Sequence, residues 1–394
     1  MSGEPVFPPP GVTLAALAED PYPAYRALRG REPICTTPSG GWVLLRYDDV
    51  EALWRDPRLS VERRARTQSG LADRRGGAAM LNRDPPDHTR LRGAVAPALA
   101  ERARGLPRAV GVRSRELLAS VEGDAVDLVA QYASPLAFRT LTHLLGVPPS
   151  LESPLREHCE TLVEAVDLWW TTLLGDPVAP DLTSFQEAGT RAREILAGLT
   201  AGGDGLLPAL AREGRLGADE VVEQGLLMLM AGHEPACNLI ASAVLALVTR
   251  PGQLRDVRDD PSLVPDAVTE TLRFDSPIQL SRRYAVEDVE VRGRTIPAGA
   301  TIILAAGSAN RDPARWGPDA DEFDPRRPDA GRHVAFGRGA HHCLGAGVAR
   351  TVARVALADL LSGFTDLRLA APPARNGRVN VRGLSSLPLS LTRG

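Results

Sequence analysis

The stretch that most limits what this chain can become is residues 336–345, FGRGAHHCLG. It sets Cys343 among Gly337, Gly339, Gly345 and Gly347, directly ahead of a helix-periodic run, AGVARTVARVALADLL. A cysteine at a helix N-terminus has its thiolate stabilised by free backbone N–H groups and the helix dipole. The glycines before it permit a tight loop whose amides can turn toward the sulfur. Four readings compete. A dinucleotide loop needs GxGxxG, but Gly337-x-Gly339 leads to His342 and Gly345-x-Gly347 to Arg350, with no acidic strand end following. A zinc site on His341, His342 and Cys343 lacks a second ligand cluster at suitable spacing. A lone thiolate as axial ligand to a haem iron and an inert buried thiol both remain open.

The rest of the chain is of ordinary globular composition. Its 394 residues are 43% hydrophobic and 24% charged, and a net charge of −3 gives no electrostatic basis for a nucleic-acid partner. All 46 basic residues are arginine, so any basic docking patch is built from guanidinium groups. The start, MSGEPVFPPPGV, reads as neither a signal peptide nor an anchor. The most apolar segment, 225–248, is interrupted by His233, Glu234 and Asn238, which argues against a membrane span. Cys35, Cys159, Cys237 and Cys343 are far apart with no CxxC, which disfavours a disulfide framework and suits a reducing cytoplasm.

Local patterns predict a mainly α chain with small β-sheets, an α+β class. GWVLLRY (41–47) reads as a strand, followed by a short helix in DDVEALWRD. Helical periodicity then runs from about Thr89 to Val248, with breaks at 146–150 and 174–181. Strand signals return in DVEVRGRTIPAGATIIL, where Pro297-Ala298-Gly299 marks a turn between two short strands, and 379–391 looks like hairpin material.

FGRGAHHCLG is similar to the haem-binding loop of cytochromes P450, FGxGxHxCxG, at every fixed position: Phe336, Gly337, Gly339, His341, Cys343 and Gly345. Other segments carry the resemblance at matching order. Glu270-Thr-Leu-Arg273 resembles the family's ExxR pair, and Arg327 of FDPRR its third member. DPPDHTRLR (84–92) resembles the signature where His88 and Arg92 meet haem propionates, and Arg283 of SRRYAVEDVEV corresponds to a further propionate-binding arginine. The chain is thus similar over nearly its whole length to soluble bacterial, actinomycete-like P450s.

The resemblance implies one haem b per chain with Cys343 on the metal, Phe336, Gly337 and Gly345 shaping its loop, and His88, Arg92, Arg283 and His341 facing the propionates. His333 is a further candidate. Two buried carboxylates require such charged partners. It also implies a single domain over 1–394. Residues 1–60 would be an N-terminal part with a small β-region, 85–250 a helical bundle, and 260–394 the ExxR helix, haem-binding loop and C-terminal β-hairpin.

Within the apolar run lies AGHEPACN (231–238). The family's distal helix reads AGHETTAN or close to it, so Ala231, Gly232, His233, Glu234 and Asn238 match while Pro235 and Ala236 replace two threonines. The first threonine, by resemblance, bends the helix and orders water for proton delivery. Proline can do the first, because it withholds an N–H from the Ala231 carbonyl and its ring crowds that same group. It cannot do the second. Ala231, Glu234 and Pro235 are therefore the catalytic candidates, with an ion pair inside the bundle as the alternative role for Glu234.

Substrate-facing stretches, by resemblance, are 59–83, 162–185, 228–235, 278–282 and 384–387. Trp169-Trp170 reads as one ring packed inward and one beside a loop. The arginines at 63, 64, 66, 74, 75 and 83 form a solvated loop or meet an acidic or carrier-bound substrate. Electrons must arrive from outside, from a ferredoxin and its reductase, with Arg338, Arg350 and Arg354 steering the docking. Hydroxylation or epoxidation of a bulky natural product is the expected reaction. Oxidative aryl or peptide coupling, peroxide-driven oxidation and a haem sensor without turnover are the alternatives raised by Pro235.

Overall fold

The computed structural model describes residues 5–62, 79–121, 123, 125–176 and 182–393. Its centre is the helix Ala218–Val248, 31 residues and so roughly 45 Å long. Glu220 starts it by reaching back to the Gly217 N–H at 2.9 Å, with Asp219 adding charge of the sign the first turn favours. Leu229, Leu239, Ile240, Ala241 and Val244 are buried, and the helix packs on Ser134–Leu145 and on Ala346–Gly363, which follows Cys343. This helix is long and apolar enough to cross a membrane, yet 67% of its most apolar window is buried inside the protein.

A five-stranded sheet joins the two ends of the chain. Its order is Ile34–Thr36, Trp42–Leu44, Thr301–Ala305, Leu280–Ala285 and Leu59–Ser60. Trp42–Leu44 pairs in parallel with Thr301–Ala305, and the other pairs are antiparallel. Side chains alternate along Leu280–Ala285, so Arg282 and Arg283 leave opposite faces of the sheet.

Beside it, Glu270 and Arg273 share one face of the helix Val264–Phe274 and are both fully buried. Arg273 donates to the two Glu270 oxygens at 2.7 Å each and to the carbonyls of Asn310, Ala320 and Glu322. Arg327 closes the network on Glu270 Oε1 at 3.1 Å. The expected fold-holding triad is formed, and its saturation with hydrogen bonds is what makes three buried charges tolerable.

Three local expectations need correction. The bundle is interrupted by a strand, Ala125–Asp127. Residues 379–391 do not fold back on themselves. Leu384–Ser386 pairs with Ala374–Arg375, whereas Pro388–Arg393 lies between Ala125–Asp127 and Phe364–Leu369. The turn at 297–300 is present but its flanking strands belong to different sheets. The hairpin in that region instead turns at Arg292-Gly293, both at positive φ, between Val289–Val291 and Arg294–Ile296.

Candidate active site

The loop carrying Cys343 is built as its glycines suggest. Gly337 and Gly339 sit at φ +66° and +71°, and a Cβ on Gly339 would stand 2.9 Å from the Trp54 carbonyl oxygen. The Cys343 N–H donates to the Phe336 carbonyl at 2.9 Å, and the following helix begins at Ala346. Burial raises the Cys343 thiol, while the Gly345 N–H, Arg92 and Arg350 pull it down. Cys35, Cys159 and Cys237 are simply buried, their thiols pushed up to about 12, but Cys343 has accessible surface. A sulfur both accessible and desolvated faces an internal slot. Partly buried apolar side chains stand nearby in the sequence on both elements, Leu227 and Met228 on the long helix and Phe336, Leu344 and Val348 around the cysteine.

Beside the cysteine the fold gathers two arginines and two histidines, with Asp84 the acid felt by three of them. His88 (3% exposed) and His341 place their rings 4.2 Å apart, and Arg283 is buried with hydrogen bonds only to Ser281 and the Arg282 carbonyl. Arg92 makes no ion pair among the described residues. Burial first, then the charges of His88, Arg283 and Arg92, holds His341 down at about 4. Burial likewise lowers Arg283 to about 10. His341 Nε2 is buried without a partner, and Asp84 is the one acid opposing these charges. His333 is not part of this group. It lies under the cysteine loop, 1% exposed, with Nδ1 accepting from the Ala335 N–H and its ring against Phe336.

Across the slot, the long helix stays α-helical through Pro235, which has no N–H to give the Ala231 carbonyl. Ala231 is exposed and Pro235 half-buried in a helix otherwise packed in the core, which marks the face they share as the slot-lining one. Glu234 is a quarter-turn round from Pro235. It is half-buried and ion-paired with Arg378, which comes from the loop between Ala374–Arg375 and Leu384–Ser386. Burial raises the Glu234 carboxyl and Arg378 opposes that shift. The ion pair foreseen as the alternative role for Glu234 is thus present. His233 points elsewhere, its Nε2 3.0 Å from Ser134 Oγ and its ring edge-on to Phe138.

The match to known proteins agrees with this geometry. A family model described as Cytochrome P450 matches residues 204–375. Cytochrome P450 107B1 of Saccharopolyspora erythraea is 38% identical, covering 95% of this chain and 96% of that protein. Cytochrome P450 monooxygenase PikC of Streptomyces venezuelae is 36% identical over 98% and 95% respectively. Among solved structures, the cytochrome P450 PksS of the Bacillus subtilis 168 bacillaene polyketide synthase superposes with a TM-score of 0.87 at 28% identity, covering 97% of this chain and 100% of that one. The chain belongs to the cytochrome P450 family and is an oxidoreductase that takes one haem b per chain. Its own residues fit that group: an accessible thiol above a helix N-terminus, an apolar slot, and a cluster of cations with an orphaned imidazole nitrogen awaiting carboxylates.

Other expected positions divide. Trp170 is 5% exposed in the core beside Leu174, while Trp169 is half-buried and stacks under Arg282 at 4.2 Å. Leu384 and Leu387 are buried in the main core, and Ser385 between them is exposed. Arginines 63, 64, 66, 74 and 75 lie outside the described residues. Of the docking arginines, Arg338 is spent on the carbonyls of Arg332 and His333 and Arg350 stacks on Phe336, leaving Arg354 exposed. Arg378 was not foreseen. The only signal was that a glutamate in so apolar a helix needs a cation, and ARNGRVNVRG (374–383) carries three arginines.

Proposed function

We propose that this P450 inserts oxygen into a bulky natural product, and that Glu234 with a water on the Ala231 carbonyl does the proton work of the missing hydroxyl. The observation that carries the reading is Pro235 in mid-helix: it has no N–H to give the Ala231 carbonyl, and Glu234 is its immediate neighbour in the chain. When bound, thiolate-ligated haem supplies dioxygen reduction and oxidation of the substrate. Cys343 would hold the iron, and His88, Arg92, Arg283 and His341 would hold the propionates. The Ala231 carbonyl accepts a hydrogen bond from water, and Glu234 holds a proton for that water. PksS, named for a polyketide synthase, and PikC, named a monooxygenase, support the substrate class and reaction type. A ferredoxin with its reductase supplies the electrons.

Oxidative coupling is the second reading, favoured by the absence of any hydroxyl at both 235 and 236. Product mass separates them: a gain of one oxygen for insertion, a loss of two hydrogens for coupling. The proton assignment is tested by Pro235→Thr under NADPH-driven turnover. It is expected to change both product yield and peroxide leakage, and if neither moves, position 235 does not control proton delivery.

A further inference from the structure

Between the long helix, the helix Glu152–Leu173 and the loop that carries Arg378 lies a cavity of about 280 Å³. Its floor is His233, Cys237 and Asn238, and its mouth includes the exposed Glu164 and Ser385. Glu234 lines this cavity, one residue from Pro235 and one from His233. Its carboxylate is held toward the cavity by Arg378.

Arg378 is itself held firmly. At the neck of its loop, Arg375 and Arg382 both pair with Asp275, at 3.4 and 2.8 Å, and Asp275 also accepts from Tyr22 and Ser242. At the tip, the N–H groups of Val379 and Asn380 donate to Asp167 on the helix Glu152–Leu173. The loop lies flush on the long helix: a Cβ on Gly383 would fall 2.0 Å from Asn238 Oδ1. One guanidinium, fixed by backbone and ion pairs on three elements, therefore serves Glu234 and Asp167, two acids that burial raises.

We infer that Arg378 is a positioning residue that sets where the Glu234 carboxyl points and how tightly it holds its proton, and that the adjoining cavity is the route by which protons from solvent reach it. This rests on the proton role given to Glu234 above. The proton enters from solvent water at the mouth by way of Glu164 and Glu160. It is taken up by Glu234 and passed to water on the Ala231 side, after which the carboxylate is recharged from the cavity. The charged and titratable groups around Glu234 are Arg378 from the loop, Glu160, Glu164, Asp167 and Arg156 from Glu152–Leu173, and His233 and Cys237 on its own helix. Asp127 lies farther off, where its charge is felt at Cys237. Arg156 is engaged with Glu160 and Ser134, which leaves Arg378 as the cation on Glu234.

The test is an infrared titration of the protonated-carboxyl band that Glu234→Gln removes. In Arg378→Gln the lowering influence is gone, so the band should persist to higher pH, its midpoint rising by about one unit, a tenfold gain in proton affinity. Arg378→Lys should restore most of it. In the haem-loaded enzyme the pH profile of kcat should move with the band while KM for substrate stays. The Asp275 anchors are untouched by either variant, and Gly383→Ala, which pushes the whole loop off the helix, should shift the band in the same direction as Arg378→Gln. An unmoved midpoint in Arg378→Gln overturns the inference whatever Pro235→Thr does. Product yield and leakage unchanged in Glu234→Gln would instead sink the proton role of Glu234 while leaving the band shift standing. Glu160→Gln combined with Glu164→Gln should lower kcat without moving the midpoint, and an unchanged kcat removes the cavity as inlet.

Discussion

His233 shows how one residue of the AGHEPACN stretch is committed to the fold rather than to chemistry. Arg156 donates to Ser134 Oγ at 2.8 Å, and that oxygen lies 3.0 Å from His233 Nε2, so a guanidinium stands close by the buried imidazole and disfavours its charged form. Burial, reinforced by Arg156, lowers its pKa from 6.5 to about 4. The folded value lies below the unfolded one, so the neutral form contributes stability that is complete above about pH 6.5. That contribution is lost progressively as pH falls from there toward 4, and the most it can amount to is on the order of 3 kcal/mol. Thermal melts of the wild type and His233→Gln should therefore differ clearly at neutral pH and converge near pH 4. A gap independent of pH would mean that the histidine is not kept neutral.

Elements differ in how readily they could be read from the sequence, and the reason is range. Glu270 and Arg273 are three residues apart on one helix, and Cys343 is read with its own flanking glycines, so local geometry delivers both. The long helix announces itself through its apolar run. Strand partners are another matter: Leu384–Ser386 and Pro388–Arg393 are short, and short strands take whatever edge the tertiary fold presents. The Glu234–Arg378 pair spans 144 residues, beyond any periodicity. At this scale the Glu270 network invites a direct test. Glu270→Gln leaves Arg273 and Arg327 as buried cations without their anion, a loss of about 3–5 kcal/mol. For a chain this size the melting temperature should drop by about 4–6 °C. Glu322, whose carbonyl rather than carboxylate is used by both arginines, should tolerate Glu322→Gln with little change.

Across the whole molecule, arginine does every cationic task, and several of its side chains are committed to internal contacts. Arg273 and Arg327 tie the final third together, Arg375 and Arg382 moor the C-terminal loop, Arg311 stacks between Tyr22 and Phe274, and Arg338 and Arg350 serve the cysteine loop. A net charge of −3 does not show which cations on the Cys343 side are left for the proposed redox partner. Arg354 is one of them, exposed on the outer face of the helix that follows the cysteine. Rim charges of this kind act mainly through encounter rate and are screened by salt. Arg354→Glu should raise the ferredoxin concentration needed for half-maximal reduction several-fold at low ionic strength, and the difference from wild type should shrink as salt is added. Substrate-binding spectra should not change, because the residue lies outside the slot. Arg350→Ala separates docking from support of the loop. Its stacking on Phe336 and its influence on the Cys343 thiol predict a change in the haem absorption spectrum that Arg354→Glu does not produce.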